Sequence, residues 1–259
     1  MSGFLARRRR ERLRREPFPQ TWVDIIRAGV PYYSLLTDPE QRILQGHIQV
    51  FLAEKHFFGC HEVEITDEMR LVIAAQACLL ILNVDADYFP RLQSVLVYRD
   101  SFKVERQRRN RDGIVSEWNE TLVGESWDLG AVILSWHEVE RDAHTFDGRN
   151  VVLHEFAHQM DQDDGTADGW PGCLERTLNK RWLQVMSREY QSLVEAVCQG
   201  RHTFINPYGA KKPSEFFAVV TETFFERPWE LCQQHRQLYD VFALFYRQDP
   251  ITRFPPSAA

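Results

Sequence analysis

The order of patterns along these 259 residues predicts an α+β fold, mostly helical with a small mixed sheet. Three observations predict it. The first third shows helical spacing of apolar residues, the middle third holds short β-branched runs, and the last third returns to helical spacing. Composition agrees with one folded body: 44% of residues are hydrophobic and 26% charged, near globular averages.

In the first third, Thr37 precedes Asp38-Pro39-Glu40, and Ile43, His47, Val50, Phe51 and Glu54 follow at helical intervals, so a capped helix is expected there. Thr66 caps a second helix whose stretch Leu71–Leu82 is apolar nearly all round, the mark of a helix buried on most sides. That stretch is the longest apolar one and falls short of the about 20 residues a bilayer requires, so no membrane span is expected. Residues 94–98 (SVLVY) and 132–136 (VILSW) read as strands. Between them, residues 102–122 read as a hairpin turning near Asp112-Gly113, with Arg106, Arg108, Arg109 and Arg111 as a charge-blunted edge. Helices are then expected at about 149–160, 174–198, 214–226 and 230–246.

Charge is unevenly placed. Residues 1–16 hold seven Arg and two Glu, so a chain of net charge −6 carries −11 beyond residue 16. An acidic body of this kind argues against direct nucleic-acid binding. The expected organisation is a basic N-terminal helix or tail (1–16) and a single domain (17–259), its helical part at 17–90 and, at 91–250, a core that holds the motif described next. The Arg run reads as a solvated helical face, or as a membrane-surface or partner patch. Five scattered Cys (60, 78, 173, 198 and 232) form neither a disulfide framework nor a C-x-x-C metal site, which points to a reducing, cytoplasmic location.

The chemistry-bearing motif is His154-Glu155-Phe156-Ala157-His158. On a helix the two imidazoles lie four residues apart on one face, about 6 Å along the axis, and can meet one Zn²⁺. Glu155 is turned about 100° away, beside the ion, where a carboxylate can act as general base. A catalytic zinc needs a third protein ligand. Asp164 stands six residues after His158, the spacing metzincins use, but Asp161 occupies the position where that arrangement places Gly. The stronger candidate is Glu215, just inside a helix opened by Pro213. Glu222 shares its face, about 10.5 Å further along, too far to bind the same ion, and is read as a supporting carboxylate.

These residues carry a resemblance. His154-Glu-Phe-Ala-His158-Gln-Met-Asp161, followed by Asn206-Pro-Tyr208-Gly-Ala, Pro213-Ser-Glu215-Phe-Phe-Ala-Val-Val and Glu222, is similar to the Mlc titration factor A family of gluzincin-like zinc peptidases. Residues 16–19 (EPFP), 50–55 (VFLAEK), 66–70 (TDEMR) and 74–80 (AAQACLL) resemble it too, so the likeness spans residues 4 to about 246. It implies a catalytic core related to that of anthrax lethal factor. It also implies one Zn²⁺ per chain on His154, His158 and Glu215, Glu155 as general base, and Tyr208 as the oxyanion-stabilising hydroxyl. Many gluzincins carry an Asp four residues after the Glu ligand to orient the first His; here that residue is Val219, which leaves Asp161 or Glu222 for the task.

The implied function is a cytoplasmic metallopeptidase acting on a peptide or protein substrate. Some relatives also bind the transcriptional repressor Mlc, which controls sugar uptake. The other reading is a non-catalytic regulator that sequesters a transcription factor and keeps a structural or vestigial zinc site.

Overall fold

A computed structural model describes residues 3–84, 87–100, 102–109, 115–122, 124–127, 130–163, 165–171 and 176–254. The first part is helical: α1 (Gly3–Arg15), α2 (Gln20–Gly29) and α3 (Asp38–Glu54), with a 3-10 turn at Pro31–Leu35. Thr37 and Glu40 close a capping box on α3, each satisfying a backbone N–H that the first turn leaves unpaired. Strand β1 (His56–Gly59) then leads to α4 (Asp67–Leu79), capped by Thr66 accepting from Met69 N–H. Every residue of α4 from Leu71 to Leu79 is buried, as its all-round apolar pattern requires.

The middle part holds β2 (Ser94–Tyr98), β3 (Phe102–Arg109), β4 (Val115–Leu122), β5 (Gly124–Trp127) and β6 (Ala131–Ser135). One sheet has the order β1-β2-β6-β5, with β1, β2 and β6 parallel and β5 antiparallel to β6, so it is small and mixed. β2 and β6 match the β-branched runs in the sequence. β3 and β4 form a separate antiparallel pair, Phe102 opposite Leu122, as the hairpin reading expects. The Asp112-Gly113 turn and Arg111 lie outside the described residues.

The last part comprises α5 (Trp136–His144), α6 (Val151–Asp161), α7 (Arg176–Cys198), a 3-10 turn at Pro207–Ala210, α8 (Pro213–Glu226), α9 (Pro228–Gln234) and α10 (Arg236–Tyr246). The single helix expected at 230–246 is in fact two. His235 leaves helical geometry (φ −135°, ψ 55°), its Nδ1 lies 2.8 Å from Glu189 Oε2, and its ring stacks on Phe204. That tertiary pairing overrides a local pattern holding neither Gly nor Pro at the break.

α8 is buried from Ser214 to Glu226 and packs against α6. Its other side meets a layer of aromatic rings: Phe217 lies 5.9 Å from Trp182 and 5.7 Å from Phe242, and Phe224 lies 5.6 Å from Tyr246. α6 and α8 are thereby held between the sheet side and this aromatic layer. The N-terminal helix is not fully solvated: the Arg10 guanidinium pairs with both Glu54 oxygens, at 2.8 and 3.0 Å, which ties α1 to α3. Among the described residues no helix is long and apolar enough to cross a membrane. The four described cysteines are free of disulfides; Cys173 lies outside the described residues.

Candidate metal centre

The H-E-x-x-H residues lie on α6, whose first turn is fixed by Asn150. The Asn150 side-chain oxygen accepts from Leu153 N–H at 3.0 Å, and its amide donates to Gln76 Oε1 at 2.8 Å and to Glu226 Oε1 at 3.1 Å. Asn150→Ala removes the cap and leaves buried partners unpaired. An expected loss of about 2–3 kcal/mol should appear as a lower midpoint in urea unfolding.

His154 and His158 project from the same face, ring centroids 4.8 Å apart. α8 brings Glu215 against them: its Oε2 is 3.0 Å from His154 Nε2 and 3.3 Å from His158 Nε2. One ligand atom from each of the three residues falls within 4.8 Å of the others, a grouping able to hold a metal ion. Both histidines are largely covered and Glu215 is buried, because α8 is enclosed by the core along its length.

Glu222, two turns along α8, reaches the other nitrogen of the first histidine. Its Oε1 is 2.7 Å from His154 Nδ1, and its Oε2 accepts from Asn150 N–H at 2.6 Å. The cap of α6 and the orientation of His154 therefore share one carboxylate. Glu226 Oε2 accepts from Gly148 N–H, and Asp142 Oδ2 accepts from Val151 N–H at 2.9 Å. Three carboxylates thus gather at the positive end of α6, where the helix dipole favours negative charge.

Burial by itself would lower the His154 pKa, but the Glu222 charge and the hydrogen bonds to Glu215 and Glu222 outweigh it and hold the imidazole well above its ordinary value. His158 is pushed down, chiefly by burial. For Glu215, burial acts upward, yet the two histidines draw it far below the usual carboxylate range. Burial, reinforced by the neighbouring Glu222 charge, drives Glu226 well up.

Glu155 is buried on the same helix, one residue from His154. Tyr208 sits in the 3-10 turn at Pro207–Ala210, where Asn206 Oδ1 accepts its N–H. Its ring centroid is 5.9 Å from that of His154, and the residue is 39% exposed. Gly209 lets this turn lie on α8: a Cβ there would come within 3.3 Å of the Phe216 backbone. Gly169 (φ +78°) does the same for the loop after α6, since a Cβ would meet Pro213 O at 2.7 Å. Asp161 Oδ2 accepts the Gly169 N–H at 3.0 Å, so this carboxylate anchors that loop. Asp164 lies outside the described residues.

The structure therefore brings His154, His158, Glu215, Glu222 and Tyr208 together. Sequence reasoning missed Asn150, Glu226, Asp142 and Gln76. Two signals were available: Asn150 immediately before an apolar helical run, and Glu222 and Glu226 four apart on α8.

Comparison with known proteins points the same way. A family profile described as glucose-regulated metallo-peptidase M90 matches residues 4–247. An uncharacterized protein of Synechocystis sp. is 44% identical over 246 residues, covering 94% of this chain and 89% of that protein. Mlc titration factor A of Pectobacterium atrosepticum is 33% identical over 228 residues, 87% of this chain and 85% of its own length. Its namesake in Serratia proteamaculans is 29% identical over 236 residues, with 90% and 88% covered. With a match along nearly its whole length, the chain belongs to the M90 family of glucose-regulated metallo-peptidases.

Proposed function

We propose that this chain is a cytoplasmic zinc metallopeptidase that hydrolyses peptide bonds, with His154, His158 and Glu215 holding one Zn²⁺. The observation that supports it is the convergence of two imidazole nitrogens and one carboxylate oxygen from two buried helices. Two nitrogens and an oxygen are a donor set suited to zinc, and three protein ligands are the number that leaves a position for chemistry. Bound zinc supplies Lewis acidity, polarising the scissile carbonyl and acidifying a water molecule.

The protein's own groups do the rest. The Glu155 carboxylate takes the proton from the attacking water and delivers it to the departing amine. The Tyr208 hydroxyl donates a hydrogen bond to the carbonyl oxygen as it becomes negative. Glu222 keeps the His154 proton on Nδ1, which leaves the Nε2 lone pair for the ion. Free cysteines fit a reducing compartment.

Zinc content of the wild type, measured beside Glu215→Ala and Asp164→Ala, tests the ligand set. The Glu215 variant should purify without zinc, whereas loss in the Asp164 variant alone overturns the assignment. Glu222→Gln should still bind zinc but about 10- to 100-fold more weakly, read by competition with a chelating dye. Chelation should abolish peptide hydrolysis and added zinc should restore it.

The name Mlc titration factor A supports a second reading, in which this chain also sequesters an Mlc-like repressor. A pull-down with purified repressor, using wild type and Glu155→Gln, separates the two roles: binding unaffected by the variant marks a function independent of catalysis.

A further inference from the structure

The inner side of α1 is used by the fold and its outer side is not. Inward, Leu13 packs on the core, Arg10 is paired with Glu54, and the Arg14 guanidinium lies 5.7 Å from the Tyr88 ring centroid. Outward, Arg8, Arg12 and Arg15 follow one another at helical spacing and are exposed, with Arg12 and Arg15 side chains at 75% and 78%; Arg12 and Arg15 reach Glu16 and Glu11 of the same helix, at 3.9 and 2.9 Å, exposed pairs that are weak in water and leave the helix net positive. At the N-terminal end of the same helix Phe4 is 63% exposed and Leu5 55%, and the Arg8 guanidinium stands over the Phe4 ring at 4.6 Å.

Two features decide what such a face meets. The arginines call for an anionic partner. Because the rest of the chain carries −11, that partner must be one the protein can touch with this helix alone. Phe4 and Leu5 then select among anions. Nucleic-acid phosphates have no use for two exposed apolar side chains, whereas a bilayer surface offers phosphates with an apolar layer a few ångströms beneath.

The geometry points to α1 as an interfacial anchor that docks this protein on an anionic lipid bilayer, its outer arginines on lipid phosphates and Phe4 and Leu5 in the headgroup boundary. A helix of 13 residues, about 20 Å long, lies along the membrane plane without spanning it. The Arg10–Glu54 pair transmits the docking to the body, because it holds α1 at a set place on α3.

The test is sedimentation of the full chain with vesicles of phosphatidylcholine alone and with phosphatidylglycerol added. Binding is expected only to the anionic vesicles and should fall about tenfold or more as salt rises from about 0.05 to 0.3 M. R8E/R12E/R15E, which leaves Arg10 and Arg14 in place, should lose about 100-fold in partitioning, and F4S/L5S about tenfold at unchanged charge. A circular-dichroism melt of each variant confirms that it is folded. Failure of the wild type to sediment, equal binding to neutral vesicles, or full binding by F4S/L5S overturns the proposal. So does tighter binding of α1 to a DNA duplex than to vesicles at equal salt, or an arginine-dependent dimer in place of vesicle binding.

Discussion

Glu155→Gln is expected to retain its zinc and to lose peptide hydrolysis by about 100- to 10,000-fold, the usual contribution of a positioned general base. The substitution keeps the size and shape of the side chain, so α6 and its two imidazoles stay where Asn150 and Glu222 hold them. What changes is proton affinity, since an amide cannot accept a proton from water at neutral pH. Metal per chain by atomic emission, measured beside kcat/KM on a peptide, checks both halves. Undiminished turnover would remove Glu155 from proton transfer, and joint loss of zinc and turnover would make it part of the metal's grip.

The largest stability effect is expected from Phe217→Ala. Phe217 is fully buried, and Trp182, Phe242 and Phe245 surround it at 5.7 to 5.9 Å. Truncating such a ring removes its transfer free energy and leaves a cavity that rigid aromatic neighbours fill poorly. The cost is about 3–5 kcal/mol. In a chain of this size that lowers the melting temperature by about 10 °C. Leu244→Ala on α10, at a side chain 52% exposed, should stay within about 0.5 kcal/mol of wild type. Equal melting temperatures for the two variants would mean that the aromatic layer behind α8 does not hold the helix that carries Glu215.

Legibility followed the range of the interaction. α4, β2 and β6 could be read because each writes its burial into consecutive residues: all-round apolar in α4, β-branched runs in the two strands. β1 (His56–Gly59) and β5 (Gly124–Trp127) could not, since four residues on a sheet edge are too short to show a period. The break at His235 depends on Glu189 and Phe204, 46 and 31 residues away, and no local window contains that information.

The same division holds at the centre. The spacing of His154 and His158 sets both imidazoles on one face of α6 through helix geometry alone, and Pro213 marks the start of the helix bearing Glu215. Sequence by itself therefore determined the kinds of donor present and the helices they stand on. Tertiary structure alone decided that α8 packs against α6 with Glu215 between the histidines and Glu222 behind them, and that Asn150, Asp142 and Glu226 secure the end of α6. The reason is physical. Periodicity records which face of an element is buried, but the partner met there is chosen by the packing of the whole core.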